Sequence, residues 1–183
     1  MVVDGYDLNV LDKAQYRAQI GYVMQTNLLF SGTISDNIAS GDEAPDRRRI
    51  EEVAKMADAH AFIAKLPLGY EQVVGERGVG LSGGQIQRLC IARALYHDPR
   101  LLVFDEATSA LDTQSESNIL SNMHDILQGR TALIIAHRLS TIMRADKILV
   151  LYEGAIVEQG RHEELVERKG MYYQLVQKQL GAS

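Results

Sequence analysis

"VVGERGVGLSGGQIQRL", residues Val73 to Leu89, places five glycines (Gly75, Gly78, Gly80, Gly83 and Gly84) within ten positions. Glycine-rich turns that open a helix bring backbone N–H groups onto phosphates, because no Cβ holds the ligand off and the helix dipole attracts anions. Three spacings compete for this stretch. Gly75 to Gly80 has the G-x-x-x-x-G step of a phosphate loop, but Leu81 and Ser82 follow where that loop needs a lysine and a magnesium-binding hydroxyl. No Gly-Lys pair occurs among the 183 residues, so the match is accidental. "GVGLSG" (78–83) also fits the G-x-G-x-x-G of dinucleotide sites, with "LLVFD" ending in Asp105 downstream. That reading needs a strand running straight into its first glycine, and the charged "GER" intervenes. The third reading takes the string whole, together with what flanks it.

Outward from the glycines, short apolar runs alternate with helical patterns. "IGYVM" (20–24), "LLVF" (101–104), "ALIIA" (132–136) and "KILVLY" (147–152) read as strands buried on both faces. "TQSESNILSNMHDIL" (113–127) spaces Ile119, Met123 and Ile126/Leu127 as a helix does, with Asp112 placed to cap it. Strands alternating with helices predict a parallel α/β sheet whose ligands bind beyond the strands' carboxyl ends. Residues 34–98 differ. "RRRIEEVAKMADAHAFIAKL" (47–66) carries Ile50, Val53/Ala54, Ala57 and Ala61 on one helical stripe, and no comparable strand interrupts the segment. The expected organisation is an α/β core over 1–33 and 99–183 around an inserted helical subdomain over 34–98. "GMYYQLVQKQL" (170–180) is read as a closing helix, and no internal repeat is present.

Bulk properties narrow the partners. A chain of this length suits one well-packed domain or two small ones. Apolar residues at 46% and charged residues at 23% fit a globular protein, and a net charge of −5 gives no electrostatic reason to expect a nucleic-acid or anionic-membrane partner. The lone cysteine, Cys90, lies between Leu89 and Ile91 and reads as a packed core thiol. No apolar run approaches the roughly 18 residues of a membrane span. "MVVDGYDLNV" lacks the basic-then-apolar pattern of a secretory signal, so the chain is expected to meet a membrane only through a partner.

"LSGGQIQRLCIARAL" followed by "LLVFDEATSALD" resembles the ATP-binding cassette (ABC) family, whose signature motif is LSGGQ. The resemblance covers nearly all of residues 1–183 and implies an α/β, P-loop NTPase-like parallel sheet with an inserted α-helical subdomain. It implies ATP and Mg²⁺ as ligands. Leu81, Ser82, Gly83, Gly84 and Gln85 would meet the nucleotide. Asp105 resembles the Walker B aspartate that holds Mg²⁺ through water, and Glu106 the general base that orients the attacking water. His137, after "ALIIA", resembles the switch histidine, and "SALD" ending in Asp112 the D-loop between facing sites. Gln25 resembles the Q-loop glutamine, which senses Mg²⁺ and the γ-phosphate.

"GERG" (Gly75, Glu76, Arg77 and Gly78) resembles the loop through which exporters touch their membrane domains. With "LLFSGTISDNI" it points to the exporter branch, similar to haemolysin-type peptide and bacteriocin exporters. The resemblance therefore implies two partners: a second nucleotide-binding domain in a head-to-tail dimer, and the transmembrane domains of an exporter. It places the chain at the cytoplasmic face of the membrane. Against the family pattern, "VVDGYDLN" resembles the segment after the first helix. The chain is thus expected to be the C-terminal portion of such a domain, without the Walker A loop and weak or inactive as an ATPase alone. A non-catalytic fragment or interaction module offering the signature in trans stays open beside it. ABC-like DNA-repair ATPases need long heptad coiled coils before the signature, and none is present.

Overall fold

The computed structural model describes residues 2–3, 5–75, 80–105, 113–136 and 139–181, without the side chains of 113–117, 120, 124 and 140. Two compact units emerge, residues 1–135 and 136–183. In the first, β1 (Val2–Val3) pairs antiparallel with β2 (Tyr6–Asp7). Helix α1 (Lys13–Ala18) begins where Asp12 accepts the Ala14 and Gln15 N–H groups, and leads into β3 (Ile20–Val23). Then come β4 (Gly32–Thr33), α2 (Ile34–Ile38), α3 (Arg47–Met56), α4 (His60–Ile63), a 3₁₀ turn (Gly69–Glu71), β5 (Val73–Val74) and α5 (Gly83–Tyr96). Strand β6 (Leu101–Asp105), α6 (Thr113–Leu127) and β7 (Thr131–Ile135) complete the unit.

The sheet order is β3-β6-β7, parallel throughout, with Val23 opposite Phe104 and Asp105 opposite Ile135. Parallel neighbours require crossovers, and the two here are unequal. Among the described residues helix α6 links β6 to β7, whereas residues 24–100 link β3 to β6 and hold the helices foreseen for that segment. Strand β6 alternates as a pleated strand must: Leu102 and Phe104 are buried, while Leu101, Val103 and Asp105 are half-buried. On the other face Tyr22, Leu133 and Ile135 are exposed. The expectation that these strands are buried on both faces is therefore corrected for residues 1–135.

Helix α5 lies at the centre of the core. Gln87, Leu89, Cys90, Ile91, Ala92, Ala94, Leu95 and Tyr96 are all buried, so the helix is covered on several sides rather than along one stripe. Gly21 lets β3 approach it closely, since a Cβ there would sit 2.3 Å from the Ala94 carbonyl oxygen. Helix α3 buries Ile50, Val53 and Ala54 against the same core, and each large aliphatic side chain fully buried there stabilises by about 1.5–3 kcal/mol. The predicted single helix over 47–66 breaks. Asp58 takes φ +55°, Ala57 and Ala59 are buried, and Ala61 is exposed while Ile63 turns inward.

Residues 136–183 form the second unit. It holds α7 (Leu139–Ile142), β8 (Ile148–Tyr152), β9 (Ala155–Gly160), α8 (His162–Glu167) and α9 (Met171–Leu180) around Ile148, Val150, Leu165, Tyr172 and Val176. Here the expectation for 147–152 is corrected too, because β8 pairs antiparallel with β9 and not within the parallel sheet. Glu153 and Gly154, at φ +49° and +79°, make the two-residue turn that matches the strands' twist. Glu158 on β9 then accepts the Met171 and Tyr172 N–H groups, both at 2.9 Å, and so caps α9.

Candidate nucleotide site

Residues Leu81 to Gln85 start a helix, and each has a place in that start. Ser82 is the N-cap, with extended backbone. Its Oγ accepts the Gln85 N–H at 3.2 Å, while Gln85 Oε1 accepts the Ser82 N–H at 2.9 Å. This reciprocal box satisfies two of the groups that a helix N-terminus leaves unpaired. Leu81 just before the cap and Ile86 in the first turn both pack against the core, as a hydrophobic staple does. What remains open is the pair between them. The Gly83 and Gly84 N–H groups have no partner among the described residues, and Ser82 and Gly83 are exposed. Two free N–H donors at the positive end of a 14-residue helix, with no side chains to crowd them, fit the oxygens of a phosphate.

The second cluster lies at the carboxyl edge of the sheet. Asp105 ends β6, and Gln25 follows the end of the adjacent parallel β3, so the structure brings both predicted magnesium residues to one edge. The Tyr22 hydroxyl makes a long contact of 3.4 Å with Asp105 Oδ2 on the exposed side of the sheet. Gln25 is itself exposed. Among the described residues no three His, Cys, Asp or Glu side chains gather as a metal cage. One carboxylate and one amide oxygen still suit Mg²⁺, which keeps most of its waters and takes few protein oxygens.

Glu106, Asp112, His137, Glu76, Arg77 and Gly78 lie outside the described residues. Gly75 follows β5, and β5 pairs antiparallel with β4. That pairing removes the dinucleotide reading, which needs a parallel core strand feeding the glycines.

One connection was not foreseen. Arg93 on α5 donates to the Asn37 carbonyl and to Asn37 Oδ1, both at 2.7 Å, and to the Leu28 carbonyl at 2.9 Å, and it lies 4.9 Å over the Phe30 ring. Buried Asn37 in turn accepts the Phe30 N–H and donates to the Phe30 and Thr33 carbonyls. The helix that presents Gly83 and Gly84 is thereby tied to the segment leaving Gln25. Burial pulls the Arg93 guanidinium below its ordinary value, yet the charge persists because the starting value is so high. The neighbouring Cys90 thiol is pushed up by burial, in keeping with an inert core residue.

The sequence profile described as ABC transporter matches residues 1–109. The chain belongs to the ABC transporter family. Among curated relatives, the Toxin RTX-I translocation ATP-binding protein of Actinobacillus pleuropneumoniae is 52% identical over 180 residues, covering 98% of this chain and 26% of the relative. The alpha-hemolysin translocation ATP-binding protein of Proteus vulgaris is 51% identical with the same coverage. A bacterial Atm1-family ABC exporter solved with ATP bound matches at TM-score 0.93 and 46% identity, over 98% of this chain and 32% of that one. The chain thus spans about a quarter of the length of the curated relatives it matches. The ABC fold, with its parallel α/β core, and the likeness to haemolysin-type exporters expected from the motifs are both borne out.

Proposed function

We propose that these residues belong to the ATP-hydrolysing domain of an ABC exporter that moves a polypeptide cargo across a membrane. The observation that carries this reading is the start of α5, where a closed capping box leaves the Gly83 and Gly84 N–H groups without a partner among the described residues. In this reading residues 34–98 form the signature-bearing part and 1–33 with 99–183 the catalytic core. Gly83, Gly84 and the Ser82 hydroxyl close over the phosphates of an ATP held by a second nucleotide-binding domain packed head to tail. Leu81 and Gln85 act mainly by holding that turn, since one is packed inward and the other is used by the cap.

Asp105 and Gln25 hold Mg²⁺, which offsets the charge that develops on the transferred phosphoryl group. Glu106 orients the attacking water and His137 meets the γ-phosphate, while Asp112 lies in the loop between the paired sites. Arg93 carries movement of the Gln25 segment to α5. Residues 75–78 and the exposed Leu28 and Phe30 face the transmembrane partner domains on the cytoplasmic side. Among the described residues no helix is long and apolar enough to cross a membrane. The cargo class follows the relatives' names, which specify toxin translocation.

The test is magnesium-dependent ATP turnover by the protein assembled with its partner domains, compared with Glu106→Gln. Turnover should vanish while ATP binding survives. Equal turnover in the two proteins would remove Glu106 from the mechanism and the reading with it.

A further inference from the structure

Asp58, where α3 gives way to α4, holds φ at +55°. Its N–H bonds the Lys55 carbonyl and the next N–H, of Ala59, bonds the Ala54 carbonyl, which is the usual way a helix stops. Glycine normally fills that left-handed position, since a Cβ is strained there. This chain uses an aspartate, and its side chain spans two helices. Oδ2 accepts from Arg88 Nη1 on α5 at 3.0 Å, and Oδ1 accepts from Asn118 Nδ2 on α6 at 3.2 Å.

Both ends of this bridge are reinforced. Arg88 Nη1 also reaches the Asp58 carbonyl at 3.0 Å, and its guanidinium lies 5.0 Å over the Phe62 ring. The Arg88 and Asp58 side chains are only 15% and 23% exposed, so the pair is poorly screened by solvent. One turn along α6, Asn122 donates to the Met56 carbonyl at 3.0 Å, so Asn118 and Asn122 grip the end of α3 from one helix face. Arg88 lies one turn beyond Gly84, and its Nε approaches the Gly84 carbonyl at 3.4 Å. Helix α6 begins at Thr113, eight residues after Asp105 at the end of β6.

We propose that Asp58 is a positioning residue. Its two carboxylate oxygens fix the first turns of α5 against α6, so that the Gly83–Gly84 donors and helix α6 hold one relative placement. The use of that placement in ATP closure rests on the function proposed above, but the coupling itself exists without nucleotide. An aspartate at a position suited to glycine is what the argument turns on, because glycine would end α3 equally well and leave the two helices unbridged.

The test follows the backbone amide resonances of Gly83, Gly84 and Gln85 in nucleotide-free protein. Asn118→Ala, on α6, should shift them. In an Asp58→Gly background, which keeps the left-handed turn without the carboxylate, the same Asn118→Ala change should no longer do so. The proposal is overturned if Asn118→Ala leaves the three amides unmoved, or moves them equally with and without the Asp58 carboxylate. Because no ATP is present, failure of the Glu106→Gln assay would leave this outcome untouched.

Discussion

Gly21→Ala tests whether β3 and α5 are locked as closely as described. The added Cβ would lie 2.3 Å from the Ala94 carbonyl oxygen, 2.8 Å from Leu102 Cδ2 and 2.9 Å from Pro99 Cγ. The first neighbour is the backbone of a helix buried on several sides, so it cannot swing away as a side-chain tip would. Either β3 or α5 must shift. Overpacking a close-packed core costs typically 1–3 kcal/mol, and a clash with backbone puts this case at about 3 kcal/mol or more. For a unit of this size that corresponds to a fall in Tm of roughly 10 °C. Gly41→Ala is the control, with φ +90° but no described atom within 4 Å of the new Cβ. Its cost comes from backbone strain alone, about 1 kcal/mol. Thermal unfolding followed by circular dichroism measures both. The reasoning fails if Gly21→Ala lowers Tm no further than Gly41→Ala does.

Ser82→Ala should cost about 1 kcal/mol through loss of the N-cap, and hydrogen exchange at the Gln85 amide should quicken more than exchange in the middle of α5. Arg93→Met removes the donors to the Asn37 carbonyl, to Asn37 Oδ1 and to the Leu28 carbonyl, and should cost about 2–4 kcal/mol in urea unfolding. Arg93→Lys should recover little of that, because a point charge cannot serve three acceptors in a fork. The Thr33 N–H and hydroxyl hold Asp36 below the usual carboxylate value, and a hydrogen bond from Arg130 does the same for Asp98. Each lowered pKa adds stability that is complete above the unfolded carboxylate value and is lost as pH falls through the folded one. Urea midpoints should therefore hold steady at mildly acidic pH and drop below about pH 4, with a shallower drop in Asp36→Asn and Asp98→Asn.

Where local chemistry alone decides the structure, the sequence was readable. Ser82 and Gln85 close a capping box from local sequence alone, and the glycine-rich turn opens a helix that begins at Gly83. The Thr113–Leu127 helix follows directly from the spacing of Ile119, Met123 and Ile126. Gln25 and Asp105 share an edge because parallel strands must present their carboxyl ends together, and that too could be argued in advance. The break at Asp58 could not. Ala61 continues the helical period, and only Arg88 and Asn118, 30 and 60 residues away, explain why an aspartate sits there.

Arg93 escaped for the same reason: it lies in "LSGGQIQRLCIARAL" and its partner Asn37 in "LLFSGTISDNI", 56 residues upstream, and nothing local to either stretch pairs them. The β8–β9 hairpin was missed although its signal was present. Glu153-Gly154 stands as a two-residue loop between apolar runs, but the strand reading stopped at Tyr152.

The central claim is that the open N–H groups of α5 receive the phosphates of ATP. Hydrogen exchange at Gly83 to Ile86 measures this most directly, in the assembled Glu106→Gln protein so that nucleotide is not consumed. Magnesium and ATP should slow exchange at Gly83 and Gly84, and ADP should not. Exchange unchanged by ATP, or slowed equally by ADP, would contradict the account.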